Sequence, residues 1–274
     1  MLKARILTAI IILPLFLSAL FYLQDIFWAA FLLLLTVVGA REWSNLTQFS
    51  VKNTIIFMLL TGLFGGELLL LLSESIKTNA YSSNLISLYI LSFVFWSTAA
   101  PLYLKQLYTV KNPFLWMLIG WILLLPTCLA LYQLRAINPL LLLGFMATIW
   151  ISDTAAYFTG RTFGKHKLAY TISPNKTWEG VAGALIAVVL YGLAWNFWLI
   201  EESLIITLVP LLIIMAILGV IGDLYESLIK RQAGVKDSGN ILPGHGGILD
   251  RIDALTSALP FAILALLIFY SPSI

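Results

Sequence analysis

The sequence predicts an all-α, polytopic integral membrane protein of about nine transmembrane helices. Three observations predict it: the apolar composition, apolar runs of bilayer length, and basic residues sorted onto alternate loops. Of the 274 residues, 61% are hydrophobic and only 11% are charged, with a mean hydropathy of +0.97. A soluble domain carries roughly 45–50% apolar and about 25% charged residues, so the composition excludes an ordinary soluble core. A single membrane bundle over 1–274 is expected.

Crossing a bilayer takes about 20 apolar residues at about 1.5 Å each. Such runs recur near 6–23, 26–40, 54–73, 84–104, 114–134, 139–158, 180–200, 203–224 and 252–271. The second is short, so the count ranges from eight to ten and nine fits best. The first run follows Lys3 and Arg5, as in a signal peptide. It is longer than a usual signal core and no A-x-A site follows it, so an uncleaved helix is expected.

With nine spans, Lys3, Arg5, Arg41, Lys52, Lys105 and Lys111 fall on one side. Arg161, Lys165, Lys167, Lys176, Lys230, Arg231, Lys236 and Arg251 fall there too, making fourteen of the 16 basic residues. Only Lys77 and Arg135 fall on the other. Basic loops stay cytoplasmic, so the N-terminus is expected inside, in a cell inner membrane, with the C-terminus outside. One missed helix would scramble this partition.

The polar residues also divide the chain lengthwise. Residues 1–138 hold helices one to five with short loops. Residues 139–274 hold helices six to nine and two longer segments, 159–179 and 225–251, rich in Gly, Lys, Asp and Ser. Loops of about 20 residues are uncommon in compact bundles unless they serve function. The single cysteine, Cys128, lies in an apolar run and excludes an internal disulfide or a thiolate metal site.

The first segment runs from Asp153 through Gly160-Arg161-Thr162-Phe163-Gly164-Lys165 to Ser173-Pro174-Asn175-Lys176-Thr177-Trp178-Glu179-Gly180. Asp153 is expected near the end of the sixth helix, about 6–9 Å deep. A carboxylate there faces a polar cavity or a cation, or snorkels to Arg161 or Lys165. Ser173 to Thr177 reads as a phosphate-contacting turn, or as a basic loop touching lipid headgroups; no Walker A pattern is present. Glu67, mid-membrane beside Gly65-Gly66, stands alone as either a packing hydrogen bond or a buried functional acid.

The second segment starts at Asp223-Leu224-Tyr225-Glu226-Ser227. It continues through Lys230-Arg231, Lys236-Asp237, Gly239, Leu242-Pro243 and His245-Gly246-Gly247 to Asp250-Arg251-Ile252-Asp253. Asp250 and Asp253 share a face if the ninth helix starts there, and Asp223 can converge on them. Clustered carboxylates repel and are held neutral or bridged by a cation; all-oxygen donors suit Mg²⁺. The glycines around His245 let backbone approach a bulky anion, and Lys230, Arg231, Lys236 and Arg251 offer positive charge to phosphates. Acids, a metal and basic groups are the parts of phosphoryl or nucleotidyl transfer. The blander readings are a positive-inside loop for Lys230-Arg231, a turn for His245 and an Asp250–Arg251 salt bridge.

Ser227 to Asp253 resembles the signature of the phosphatidate cytidylyltransferases, or CDP-diacylglycerol synthases. That pattern is Ser, two residues, Lys-Arg, four residues, Lys-Asp, a small residue, Pro, His-Gly-Gly and Asp-Arg-x-Asp. Asp153 to Gly180 is similar to the family's Gly-Arg-x-Phe-Gly-Lys and Ile-Ser-Pro-x-Lys-Thr-x-Glu-Gly runs, and Arg41-Glu42-Trp43 resembles a weaker feature. Tyr170, where proline or a small residue is common, and Gly183-Ala184 in place of Gly-Gly depart from it.

The resemblance implies transfer of CMP from CTP to phosphatidate, giving CDP-diacylglycerol and pyrophosphate. It implies a Mg²⁺ requirement with a second cation such as K⁺ nearby, a homodimer in the lipid bilayer, and no nucleic-acid partner. The catalytic set is then Asp223, Asp250, Asp253 and Lys236, with Asp223 and Asp250 as metal ligands. The substrate-binding set is Asp153, Arg161, Ser173, Lys176, Thr177, Glu179, Lys230, Arg231, Asp237, His245, Gly246, Gly247 and Arg251. A CDP-alcohol phosphotransferase would need an Asp-Gly-x-x-Ala-Arg string, which is missing. A transporter would show inverted repeats and midplane polar sites, whereas here the polar residues gather at one face.

Overall fold

A computed structural model describes residues 2–78, 83–107, 110, 112–199 and 205–269. Its helices in chain order are α1 (Leu2–Tyr22), α2 (Asp25–Leu46), α3 (Val51–Thr78), α4 (Ser83–Val94) and α5 (Ala100–Gln106). They continue with α6 (Pro113–Ile137), α7 (Pro139–Phe163), α8 (Trp178–Leu199), α9 (Ile205–Gln232) and α10 (Leu249–Phe269). A five-residue π-helical stretch, Phe95–Ala99, joins α4 to α5 into one apolar rod just before Pro101. Among the described residues, eight helices are long and apolar enough to cross a membrane, and Ile10–Tyr22 of α1 is a shorter apolar stretch. The expected spans are therefore found one for one, counting α1 and the α4–α5 rod.

Their ends differ from expectation. The second helix is not short, since α2 has 22 residues. Helix α7 runs on to Phe163 and α9 to Gln232, because helical hydrogen bonding continues where hydropathy has already dropped. Asp153 thus lies ten residues before the end of α7, about 15 Å along its axis, rather than four residues from the helix end as the sequence suggested. The expected span ends at 200, 203 and 271 lie outside the described residues. The bundle also carries one small sheet, β1 (Lys167–Ala169) antiparallel to β2 (Ser173–Thr177).

Helices α6 and α10 form the buried heart of the bundle; Cys128 sits there as a packed small side chain. Pro260 inside α10 has no N–H to offer the carbonyl four residues earlier, Thr256 O. Trp96 from the π-helical stretch fills the vacancy, its Nε1 donating to Thr256 O at 3.0 Å. Such substitute donors are what make proline tolerable in a membrane helix.

At one end of the bundle Arg135 of α6 ties down the α1–α2 turn. Its Nε donates to Leu20 O at 2.8 Å, its Nη1 pairs with Asp25 Oδ1 at 2.8 Å, and its Nη2 donates to Leu23 O. At the other end Thr8 Oγ1 of α1 donates to Pro243 O, and Tyr103 OH of α5 meets Gln232 of α9. Glu67 is exposed on the outer side of α3, beyond the core.

Candidate active site

The site grows from the close approach of α9 and α10. Gly222 has no side chain where a Cβ would fall 2.7 Å from both Asp253 O and Ser257 Oγ. Ser257 Oγ donates across the gap to Leu218 O at 2.8 Å. With the helices this close, Asp223 comes within electrostatic range of Asp253, as does Asp153 of α7. Asp253 Oδ1 accepts the N–H of Ala254 at 2.8 Å, and Ser227 Oγ donates to Asp223 Oδ1 at 3.2 Å.

One turn beyond, Lys230 is 8% exposed and pairs with Glu226 Oε1 at 3.2 Å and Asp250 Oδ1 at 2.7 Å. This replaces the Asp250–Arg251 bridge considered above; Arg251 is exposed. Asp250 Oδ2 accepts Ser238 N at 2.8 Å, Gly247 N at 2.8 Å and Ser238 Oγ at 3.0 Å. With Lys230 these fill the carboxylate's roughly four acceptor positions. A cation reaching Asp250 has to displace one of them.

The hairpin β1–β2 lies over α9. Ile172 at its tip is buried with Leu224 and Leu228, and Arg231 Nε reaches Ile172 O at 3.5 Å. Ser173–Thr177, read from sequence as a turn, is thus a strand whose end places Lys176 against Asp223 as an ion pair. Lys176 also acts electrostatically on Asp153, whereas Arg161 turns to Tyr157 OH at 3.0 Å. Thr177 is buried, and its Oγ1 accepts Gly180 N at 3.1 Å at the start of α8. Glu179 accepts from the His166 backbone N–H at 3.2 Å and its Oε1 lies 2.7 Å from His166 Nδ1.

Lys236 and Asp237 are exposed on the loop between α9 and α10. His245 sits in a tight turn, its N–H donating to Leu242 O at 2.8 Å, with Gly246 at φ +84°. Its Nδ1 is buried without a hydrogen-bond partner among the described residues. The structure therefore collects Asp153, Lys176, Asp223, Lys230, Asp250 and Asp253 around the α9–α10 junction, with Ser238 and Glu226 added. Arg161, Thr177 and Glu179 make their hydrogen bonds elsewhere, and Ser173 opens β2.

The residue that sequence reasoning passed over is Glu42. It is 2% exposed near the end of α2 and accepts Ile248 N at 2.9 Å, Leu249 N at 2.8 Å and Ser238 Oγ at 3.0 Å. The signal was Arg41-Glu42-Trp43, an acid in an otherwise apolar helix. The loop glycines acquire a reason too: a Cβ on Gly239 would lie 2.6 Å from Glu42 Oε1, and on Gly247 2.5 Å from the same atom. The bulky anions those glycines admit include the protein's own carboxylates.

The donor set suits a hard cation. Among the described residues, Asp153, Asp223, Glu226, Asp250 and Asp253 have the ammoniums of Lys176 and Lys230 beside them, five carboxyl groups to two lysines. Both lysines already sit as cations on Asp223 and Asp250. Among the described residues no three His, Cys, Asp or Glu side chains could hold a metal together. Mg²⁺ would need only one or two such carboxylates, completing its shell with water and phosphate oxygens.

Comparison with known proteins places the chain in a family. Residues 3–269 match the model of the cytidylyltransferase family. A phosphatidate cytidylyltransferase of Haemophilus influenzae is 36% identical over 282 residues, covering 95% of this chain and 97% of its own. Proteins of the same name from Pseudomonas aeruginosa and Staphylococcus saprophyticus are each 36% identical, covering 95% and 94% of this chain and 95% and 96% of theirs. The chain belongs to the cytidylyltransferase family and is a nucleotidyltransferase.

Proposed function

We propose that this enzyme transfers CMP from CTP to phosphatidate, forming CDP-diacylglycerol and releasing pyrophosphate. The observation that carries the reading is the acidic cluster at the α9–α10 junction, with two ammoniums and exposed basic residues around it, in a membrane-spanning member of this family. One substrate is a polyphosphate from water and the other a phosphate fixed to lipid. They meet where a charged site opens at a bundle end. On this reading the basic loops lie on the cytoplasmic side of the inner membrane, where CTP is available.

A phosphate oxygen of phosphatidate attacks the α-phosphorus of CTP. The new P–O bond forms as the bond to the β-phosphate bridging oxygen breaks, and pyrophosphate leaves with that electron pair. The attacking phosphate is anionic at neutral pH, so little base assistance is needed. The difficulty is repulsion between two anions. Lys236, Arg231 and Arg251, exposed around the site, and Lys176 on the hairpin supply positive charge to the phosphates. Asp223 and Asp250, with Asp253 beside them, would hold Mg²⁺, which would supply charge neutralisation for the polyphosphate and the pyrophosphate leaving group.

Purified protein, given labelled CTP and phosphatidate in micelles with Mg²⁺, is expected to yield a chloroform-soluble labelled product and free pyrophosphate. EDTA should abolish both. No labelled lipid, under conditions where a Haemophilus influenzae relative works, would sink the proposal.

A further inference from the structure

Glu42 lies in the half of the chain read from sequence as helices one to five with short loops, yet it is bound to the loop that holds Asp250. Its partners Ile248 and Leu249 lie 206 and 207 positions away, at the residue before α10 and at its first free N–H. A helix start leaves such donors unpaired, and its positive dipole end favours an anion. Among the described residues no lysine, arginine or histidine pairs with Glu42. Its buried charge is therefore balanced by the helix start and by hydroxyl donation.

The contact continues into the acidic cluster. Ser238 Oγ stands 3.0 Å from Glu42 Oε2 and 3.0 Å from Asp250 Oδ2, while Ser238 N donates to Asp250. One hydroxyl proton serves two carboxylates, so the position of each constrains the other through Ser238. Gly239 and Gly247 have no room for a Cβ against Glu42, which fixes the loop's backbone on both sides of the turn. Asp250 is thus held in place by a loop that Glu42 grips from another helix.

We propose that Glu42 is a positioning residue for cation binding, holding the 238–249 loop so that Asp250 is presented to the metal and its triphosphate. This rests on the functional reading above. The glutamate acts through Ser238 and the α10 N-terminus, touching no substrate itself.

Glutamine tests the idea at nearly constant volume. Ile248 N–H uses Oε1 while Leu249 N–H and Ser238 use Oε2, so either amide orientation sets an NH₂ against a donor. In full-length Glu42→Gln, Mn²⁺ affinity measured by electron paramagnetic resonance should fall about tenfold or more, and turnover by a similar factor. KM for phosphatidate should stay within about twofold, since nothing here argues a lipid contact. Hydrogen exchange over 238–250 should accelerate about tenfold while α6 and α7 stay as protected as before.

Unchanged exchange and Mn²⁺ affinity would overturn the proposal. So would faster exchange spread evenly over the bundle, or local loosening that leaves Mn²⁺ affinity unchanged, for Glu42 would then serve stability alone. If the wild-type protein makes no CDP-diacylglycerol, the reaction assignment fails. The exchange and Mn²⁺ comparisons still decide the role of Glu42.

Discussion

Lys230 Nζ lies 2.7 Å from Asp250 Oδ1, so the last turn of α9 is fastened to the first turn of α10 by a buried ion pair. Glu226 Oε1, 3.2 Å from the same ammonium, makes it a triad with one positive charge for two negative ones. Removing the lysine leaves two carboxylates facing each other with side chains only 7% and 5% exposed. Breaking a buried pair by removing one partner costs about 3–5 kcal/mol, far more than a surface pair. Lys230→Met should lower the melting temperature in detergent clearly and abolish turnover. A variant that melts like wild type would show that the triad is not buried as described.

The two aspartates of α10 should fail in different ways. Asp250 takes four donors, and asparagine can replace neither the charge on Lys230 nor all three acceptor contacts of Oδ2. Asp250→Asn is expected to lose activity and to loosen the 238–249 loop together, because charge-assisted hydrogen bonds contribute about 1.5–3 kcal/mol each. Asp253 makes one short-range bond, to Ala254 N, and lies within electrostatic range of Asp223, Lys230 and Asp153. Asp253→Asn should keep wild-type melting while kcat falls about a hundredfold. Steady-state kinetics beside thermal melts separate the two, and near-normal turnover in Asp253→Asn would remove that residue from the chemistry.

The contrast between these residues also explains what could be read from the sequence. The helices were legible because a run of apolar side chains has few alternatives, and basic loops sorted cleanly around them. Their ends were not. Helix α9 continues through Asp223, Glu226, Ser227 and Lys230, where hydropathy signals an exit but i,i+4 pairs such as Ser227 with Asp223 still form. The motif from Ser227 to Asp253 named the segment that folds over the α9–α10 junction. It did not name Glu42, because an acid contacting Leu249 from 207 positions away lies outside that motif, and Arg41-Glu42-Trp43 says nothing of the contact. The hairpin was likewise hidden: Ser173 to Thr177 contains a proline and reads as a turn until Lys167 to Ala169 is seen to pair with it.

Gly222 offers a test of how tightly the acidic cluster depends on helix packing. A methyl group there would lie 2.7 Å from Asp253 O, a backbone atom that cannot swing away. Overpacking of this kind costs about 1–3 kcal/mol and is relieved by moving one helix against the other. Gly222→Ala should therefore lower both melting temperature and kcat, through separation of Asp223 from Asp253. Gly234→Ala is the control: nothing lies within 4 Å, but φ is +72°, so strain without a clash is expected to leave kcat intact. Equal kinetic losses in the two would argue against the packing explanation.

Trp96 should matter for stability alone. Its indole N–H serves Thr256 O, the carbonyl that Pro260 leaves without a helical donor, and Thr127 Oγ1 is a weaker second donor at 3.4 Å. Trp96→Phe keeps an aromatic ring against Phe95 and Tyr225 but removes the donor. A buried acceptor left short of a partner costs about 1–3 kcal/mol, reduced here by whatever Thr127 recovers. The variant should melt several degrees lower with KM for CTP and phosphatidate unchanged. Adding Pro260→Ala restores a backbone N–H to Thr256 O, so the double variant should regain part of the loss. Strict additivity of the two substitutions would show that the indole and the proline act independently.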